Sequence, residues 1–223
     1  MANYAIDPLL LQPYLPHFTE PDFFNGKCYV SLVGFMFEDV RLKGIPIPFH
    51  TRFPEVNLRF YVKRQGINDR RGVVFISEIV PKRAIAWVAN TFYKEQYMAT
   101  SMRNRLQVRD NELEVGYDWL YRYQWHTIQA TAKNQLQSIT ANSKEEFIFE
   151  HYYGYAKAGD KLTNEYEVAH PRWQIYPVTS YKVDCNFEAL YGKDFACLNQ
   201  QQPASVFLAE GSAIAIGHKL VLK

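Results

Sequence analysis

Cysteine is scarce in this chain. Only Cys28, Cys185 and Cys197 occur among 223 residues. They form no CxxC pair, and an odd, sparse set is no disulfide framework; it fits a reducing cytoplasm and buried thiols. Excess charge is equally scarce. The 25 basic and 23 acidic residues are well mixed and leave a net +2, which offers neither nucleic acid nor an anionic membrane a basic stripe. No apolar run approaches the roughly 20 residues that cross a bilayer, and the first residues lack the basic-then-apolar order of a secretory signal. A cytoplasmic protein with no nucleic-acid or membrane partner is expected. Reaction signatures are missing too: there is no GxSxG elbow, Walker A loop or GxGxxG turn. The six histidines, His17, His50, His126, His151, His170 and His218, show no HxH or HExxH spacing. No metal and no other cofactor is expected from them, and a lone histidine such as His170, ahead of Pro171-Arg172-Trp173, is read as structural.

What the chain has in quantity is aromatic residues, 16% of the total, with 16 Tyr and 15 Phe. That composition favours strands. Residues 27–37 are apolar on both faces, as in a central strand covered on both sides; Ser31 within it is expected to bond to backbone. Asn25-Gly26 before it is a hairpin signal. Asn68-Asp69-Arg70-Arg71-Gly72 reads as a polar turn ahead of a strand at 73–80. Residues 81–93 have helical spacing, and Asp7-Pro8 and Ser143 start short helices. Residues 106–108 and 112–120 pair across a turn at 109–111, and 122–132 continues as strand. In that region Tyr117, Trp119, Tyr121, Tyr123 and Trp125 alternate as a packed or cavity-lining wall. No repeat or linker divides the chain. A single mainly β (α+β) domain over 1–223 follows, an antiparallel barrel-like sheet with two or three short helices.

One stretch stands apart. Along residues 54–64, Val56, Leu58, Phe60 and Val62 share one face of a strand, and Glu55, Asn57, Arg59 and Tyr61 share the other. Glu55 and Arg59 lie roughly 13 Å apart along the axis, too far to pair, so each needs another partner or a ligand. The Tyr93-Lys94-Glu95-Gln96-Tyr97 segment is a second polar cluster, where a helix ends.

These residues carry a resemblance. The chain resembles the YqjF-like family of uncharacterised bacterial proteins over nearly its whole length. The resemblance is carried by Asp7-Pro8 with Leu15-Pro16, by Phe24-Asn25-Gly26-Lys27 through Val30-Ser31-Leu32-Val33, and by Phe53-Pro54-Glu55-Val56-Asn57-Leu58-Arg59. Phe92-Tyr93 to Tyr97 and His170-Pro171-Arg172-Trp173 extend it. That family is similar in fold to acetoacetate decarboxylase, whose β-rich domain wraps a largely apolar cavity and whose reactive lysine forms a Schiff base beside a second lysine. Laid on this chain, the motif puts Gln96, Tyr97 and Met98 where the enzyme has Pro-Lys-Lys, and Ala5 near its active-site arginine. Both amines are missing, and Lys94, three residues away, is about 10 Å off along an extended chain. Family members commonly carry another strand before the Tyr4-Ala5-Ile6-Asp7-Pro8 segment; the short lead here is compatible with loss of that strand, which would expose a sheet edge.

Three functions compete. The first is binding of a small organic, anionic molecule in a cavity lined by Glu55, Asn57, Arg59, Tyr61, Tyr93, Lys94 and Tyr97. Arg59 would hold the anion and Glu55 would orient it. The second is acid–base catalysis by Glu55 or Tyr97 on a keto acid, enol or aromatic substrate. The third is a structural or interaction protein whose polar face is surface. Each leaves room for a homo-oligomer.

Overall fold

A computed structural model describes residues 1–38, 41–42, 45–46, 52–88 and 96–223. Among them, eleven strands form the main sheet. Its path runs Ser205–Val206, Ala2–Ile6, Cys28–Phe37, Phe53–Arg64, Ile67–Val80, Tyr153–Gly159, Leu162–Ala169 and Ala215–Ile216. Thr19–Pro21 joins beside Phe53–Arg64, Leu220–Leu222 beside Leu162–Ala169, and Tyr97–Ala99 beside Ile67–Val80. A second sheet orders Val178–Asp184, Gln124–Lys133, Glu112–Tyr121 and Met102–Arg109.

The barrel expected from the sequence is not there: no sheet among the described residues closes on itself. The two ends of the main sheet are each covered by strands of two or three residues instead of by one another. Ala2–Ile6 lies between Cys28–Phe37 and Ser205–Val206, so its outer edge is partly paired.

Period-two patterning explains the layers. Val30, Leu32, Val56, Leu58 and Phe60 point to one side and pack with Trp119 and Ile128 of the second sheet and with Phe187 and Phe195. The sheets approach closely where Gly34 meets the Tyr117 ring; a Cβ on Gly34 would lie 2.5 Å from a ring carbon. On the other side Tyr29, Tyr61 and Val73 pack under Phe147, Ile148, Phe149 and Phe207. Most of that cover comes from the helix Lys144–Phe149, capped where the Ser143 hydroxyl accepts from Glu146 N–H. Asp7 caps Pro8–Leu11 in the same way.

Several local readings need correction. The turn expected at 68–72 falls at Gln65-Gly66, where Gly66 has φ +75°, and 68–72 belong to the long strand Ile67–Val80. Asn25-Gly26 does turn with both φ positive, but it joins a single bridge between Phe24 and Lys27 and not two long strands. The strand expected over 122–132 is Gln124–Lys133, because Arg122 and Tyr123 both take positive φ and reverse the chain. That turn breaks the aromatic wall. Trp119 is fully buried and Tyr123 fully exposed, while Trp125 carries the Arg103 guanidinium 4.1 Å from its ring centre. Cys28 is buried, but Cys185 is only partly so and Cys197 is exposed. The helix expected over 81–93 is described as Arg83–Val88; Tyr93 and Lys94 lie outside the described residues.

Candidate functional site

The polar side of Phe53–Arg64 does not meet bulk water. Glu55, Asn57 and Tyr61 are each 1% exposed and Arg59 is half-buried. The row is flanked by Cys28–Phe37, which sets Ser31 beside Arg59, and by Ile67–Val80, which sets Glu78 beside Asn57. Glu78 arrives there through an irregularity. Leu58 faces Ser77 and Arg59 faces Phe75, so Ile76 is an extra residue in its strand. In an unbroken strand residues 75 and 78 would point to opposite faces; the bulge brings both to the polar one.

At one end of the row Asn57 and Tyr97 converge on Glu55. Asn57 Nδ2 donates to its Oε1 at 3.0 Å, and the Tyr97 hydroxyl donates to its Oε2 at 3.1 Å. Tyr97 also pairs across the sheet with Glu78. Burial, and then the Glu55 and Glu78 carboxylates, hold the Tyr97 phenol well above its usual pKa. Tyr97 is therefore a neutral donor, and it stands where the resemblance aligns the decarboxylase's reactive lysine.

At the middle lies Arg59. Its Nε is buried with no hydrogen bond, and no ion pair holds its guanidinium among the described residues. Its nearest aromatic contact is the Tyr61 ring, with 5.8 Å between guanidinium carbon and ring centre. Every other arginine described on the neighbouring strands has a carboxylate: Arg64 and Arg70 share Glu165, and Arg71 holds Asp22. Arg59 is set apart by that comparison.

Beyond Arg59 the row continues as a hydrogen-bond relay. Ser31 Oγ donates to Asn3 Oδ1 at 2.6 Å and lies 2.6 Å from the Tyr61 hydroxyl. A serine hydroxyl has one proton, so Tyr61 donates to Ser31. Ser31 is thus bonded to side chains and not to backbone. Against the Tyr61 ring, at 4.8 Å between centres, sits His151. Its Nε2 is 3.1 Å from Asp22 Oδ2, which also accepts from Arg71 Nε at 2.6 Å. Burial lowers His151 to a pKa of about 4, outweighing the upward pull of Asp22. Burial pushes Asp22 up, but its bonds to His151 and Arg71 more than offset this and hold it below its usual value.

Of the residues singled out from sequence, Glu55, Asn57, Arg59, Tyr61 and Tyr97 come together, and Tyr93 and Lys94 fall outside the described residues. Asn3, Glu78, Asp22 and His151 were not singled out. No sequence signal near Asp22 or His151 links them across 129 positions. Among the described residues no group of three or more His, Cys, Asp and Glu is gathered as a metal site would need. A separate hollow of about 240 Å³ lies on the second sheet. Arg103 and Lys182 balance Asp118 and Asp184 there, so it selects no ligand charge.

A family model for DUF2071, uncharacterized conserved proteins, matches residues 1–213. The uncharacterized protein YqjF of Bacillus subtilis (strain 168) is 27% identical over 183 residues, covering 78% of this chain and 70% of that one. Two solved structures are similar over nearly the whole chain. Acetoacetate decarboxylase from Legionella pneumophila aligns with TM-score 0.61 at 14% identity, covering 100% of this chain and 83% of its own. The enduracididine biosynthesis enzyme MppR, complexed with the condensation product of pyruvate and imidazole 4-carboxaldehyde, aligns with TM-score 0.62 at 12% identity, covering 99% and 81%. At such identities the likeness shows the fold, which is acetoacetate-decarboxylase-like.

Proposed function

The chain belongs to the DUF2071 family of uncharacterized conserved proteins, and we propose that it binds a small organic anion on the buried polar face of Phe53–Arg64, without Schiff-base chemistry. One observation carries the reading: Arg59 is a half-buried guanidinium that no protein carboxylate neutralises among the described residues. A guanidinium is always charged and presents a planar fork suited to a carboxylate. The groups around it support the same reading. Glu55, Asn57 and Tyr97 are tied to one another by hydrogen bonds, which fixes their positions without drawing Arg59 into an ion pair. A solvated surface strand would not bury such a row.

The test is a thermal-shift screen with small carboxylic acids. Carboxylates should raise the melting temperature of the wild-type chain, uncharged amides of the same size should not, and Arg59→Ala should abolish the shift. A carboxylate shift of equal size in Arg59→Ala would remove the assignment.

Acid–base catalysis by Glu55 or Tyr97 is the second reading, and the 3.1 Å bond between buried Glu55 and half-buried Tyr97 favours it. Both readings keep the thermal shift in Glu55→Gln, so product analysis after incubation with the acids decides: a catalytic Glu55 gives product with wild type and none with the variant, and binding alone gives none with either.

A further inference from the structure

Asn57 Oδ1, Arg59 Nε and His151 Nδ1 are buried polar atoms without a hydrogen-bond partner, and all of them lie on or against this one face. Leaving such an atom unmet costs its full desolvation, so a fold retains it where something else completes it. The chemical role of each can be worked out. Asn57 turns its Nδ2 to the Glu55 carboxylate at 3.0 Å. A carboxylate facing an amide nitrogen accepts, which leaves Oδ1 as the open end of Asn57, an acceptor. His151 presents Nε2 to Asp22, and Arg71 holds the same carboxylate oxygen. The imidazole proton therefore sits on Nε2, and Nδ1 is a lone pair. Arg59 Nε is a donor on a cation.

These groups are neighbours. Arg59 and His151 both lie against the Tyr61 ring, at 5.8 and 4.8 Å. Asn57 is two residues from Arg59 on the same strand face. One positive donor thus shares this face with two acceptors, Asn57 Oδ1 and His151 Nδ1, that make no hydrogen bond within the protein. A plain aliphatic acid would satisfy Arg59 alone and leave both acceptors dry.

We propose that the site takes a small hydroxy acid, with its carboxylate on Arg59 and its hydroxyl hydrogens donated to Asn57 Oδ1 and His151 Nδ1. The Asp22–His151 pair is then a positioning device, with Asp22 holding the imidazole in the tautomer that accepts. The inference rests on the anion reading above and narrows it.

Calorimetric titration with a four-carbon series tests it: butyrate, 2-hydroxybutyrate, 3-hydroxybutyrate and 2,3-dihydroxybutyrate. Wild-type protein should bind the best hydroxy acid about tenfold tighter than butyrate for each acceptor met. Asn57→Ala should reduce that preference by about tenfold and leave the affinity for butyrate within about twofold. His151→Phe should do the same at the other acceptor; because it strips Asp22 of a partner and can fail to fold, Asn57→Ala stands as the independent variant. Equal affinity for butyrate and all its hydroxylated forms would overturn this inference and leave the anion reading standing. A hydroxyl preference that persists in Asn57→Ala and in a folded His151→Phe would also overturn it. No binding of any acid by the wild type would overturn the anion reading and this one with it.

Discussion

Between pH 7 and pH 4 the folded chain is expected to lose about 3 kcal/mol of stability through one imidazole, that of His151. The folded pKa is lowered to about 4 from an unfolded value of 6.5, chiefly by burial. Between those values the unfolded chain binds a proton that the folded chain refuses, so stability rises with pH across the window. The contribution is complete above about pH 6.5 and is lost as pH falls towards 4. Asp22 acts in a separate, lower window. Its folded pKa is depressed below 3.8, so its contribution is present above that value and is lost only in stronger acid. Urea unfolding of wild type and His151→Gln at pH 7, 5.5 and 4 isolates the imidazole, since carboxylates away from His151 titrate alike in both and Asp22 titrates chiefly below that window. The wild type should lose the extra increment and the variant should not. Parallel curves would mean that His151 is not held neutral by its surroundings.

Arg59→Met is expected to stabilise the ligand-free chain by about 1–2 kcal/mol while removing acid binding. The argument is one of desolvation without compensation. Arg59 Nε is buried and unbonded, and the guanidinium gains only a 5.8 Å approach to Tyr61. Methionine keeps the length and the apolar packing and discards the unmet donor. Binding groups are commonly kept at the expense of stability, so opposite signs on the two measurements identify Arg59 as functional. A structural arginine would show the reverse, with a lower melting temperature on substitution. Thermal unfolding with and without a carboxylate ligand reads both quantities in one experiment.

The two-faced strand was legible because its signal is local. Alternation over residues 54–64 names both faces, and the structure keeps the apolar set in the core and the polar set together. Helix starts at Asp7 and Ser143 were legible for the same reason, since a cap is a contact within three residues. Glu78 was not, because its face depends on a bulge at Ile76 that only pairing with Leu58 and Arg59 defines. Nor was the turn at Arg122-Tyr123, where two non-glycine residues adopt positive φ without the Asn or Gly that would announce it. His151 joins the site through Asp22 and Tyr61, partners far away in sequence. The barrel expectation failed at the level of sheet closure, which depends on how strand ends meet and not on any one segment's pattern. The resemblance contributed the family and the fold; it did not contribute the relay from Tyr61 through Ser31 to Asn3.

The central claim is that Arg59 is a ligand's cation. A crystal structure of the protein soaked in a small hydroxy acid tests it most directly. The account predicts the acid's carboxylate within about 3 Å of the Arg59 guanidinium, under the Tyr61 and His151 rings. An Arg59 paired with a carboxylate of the chain itself, with the acid bound elsewhere or nowhere, would contradict it.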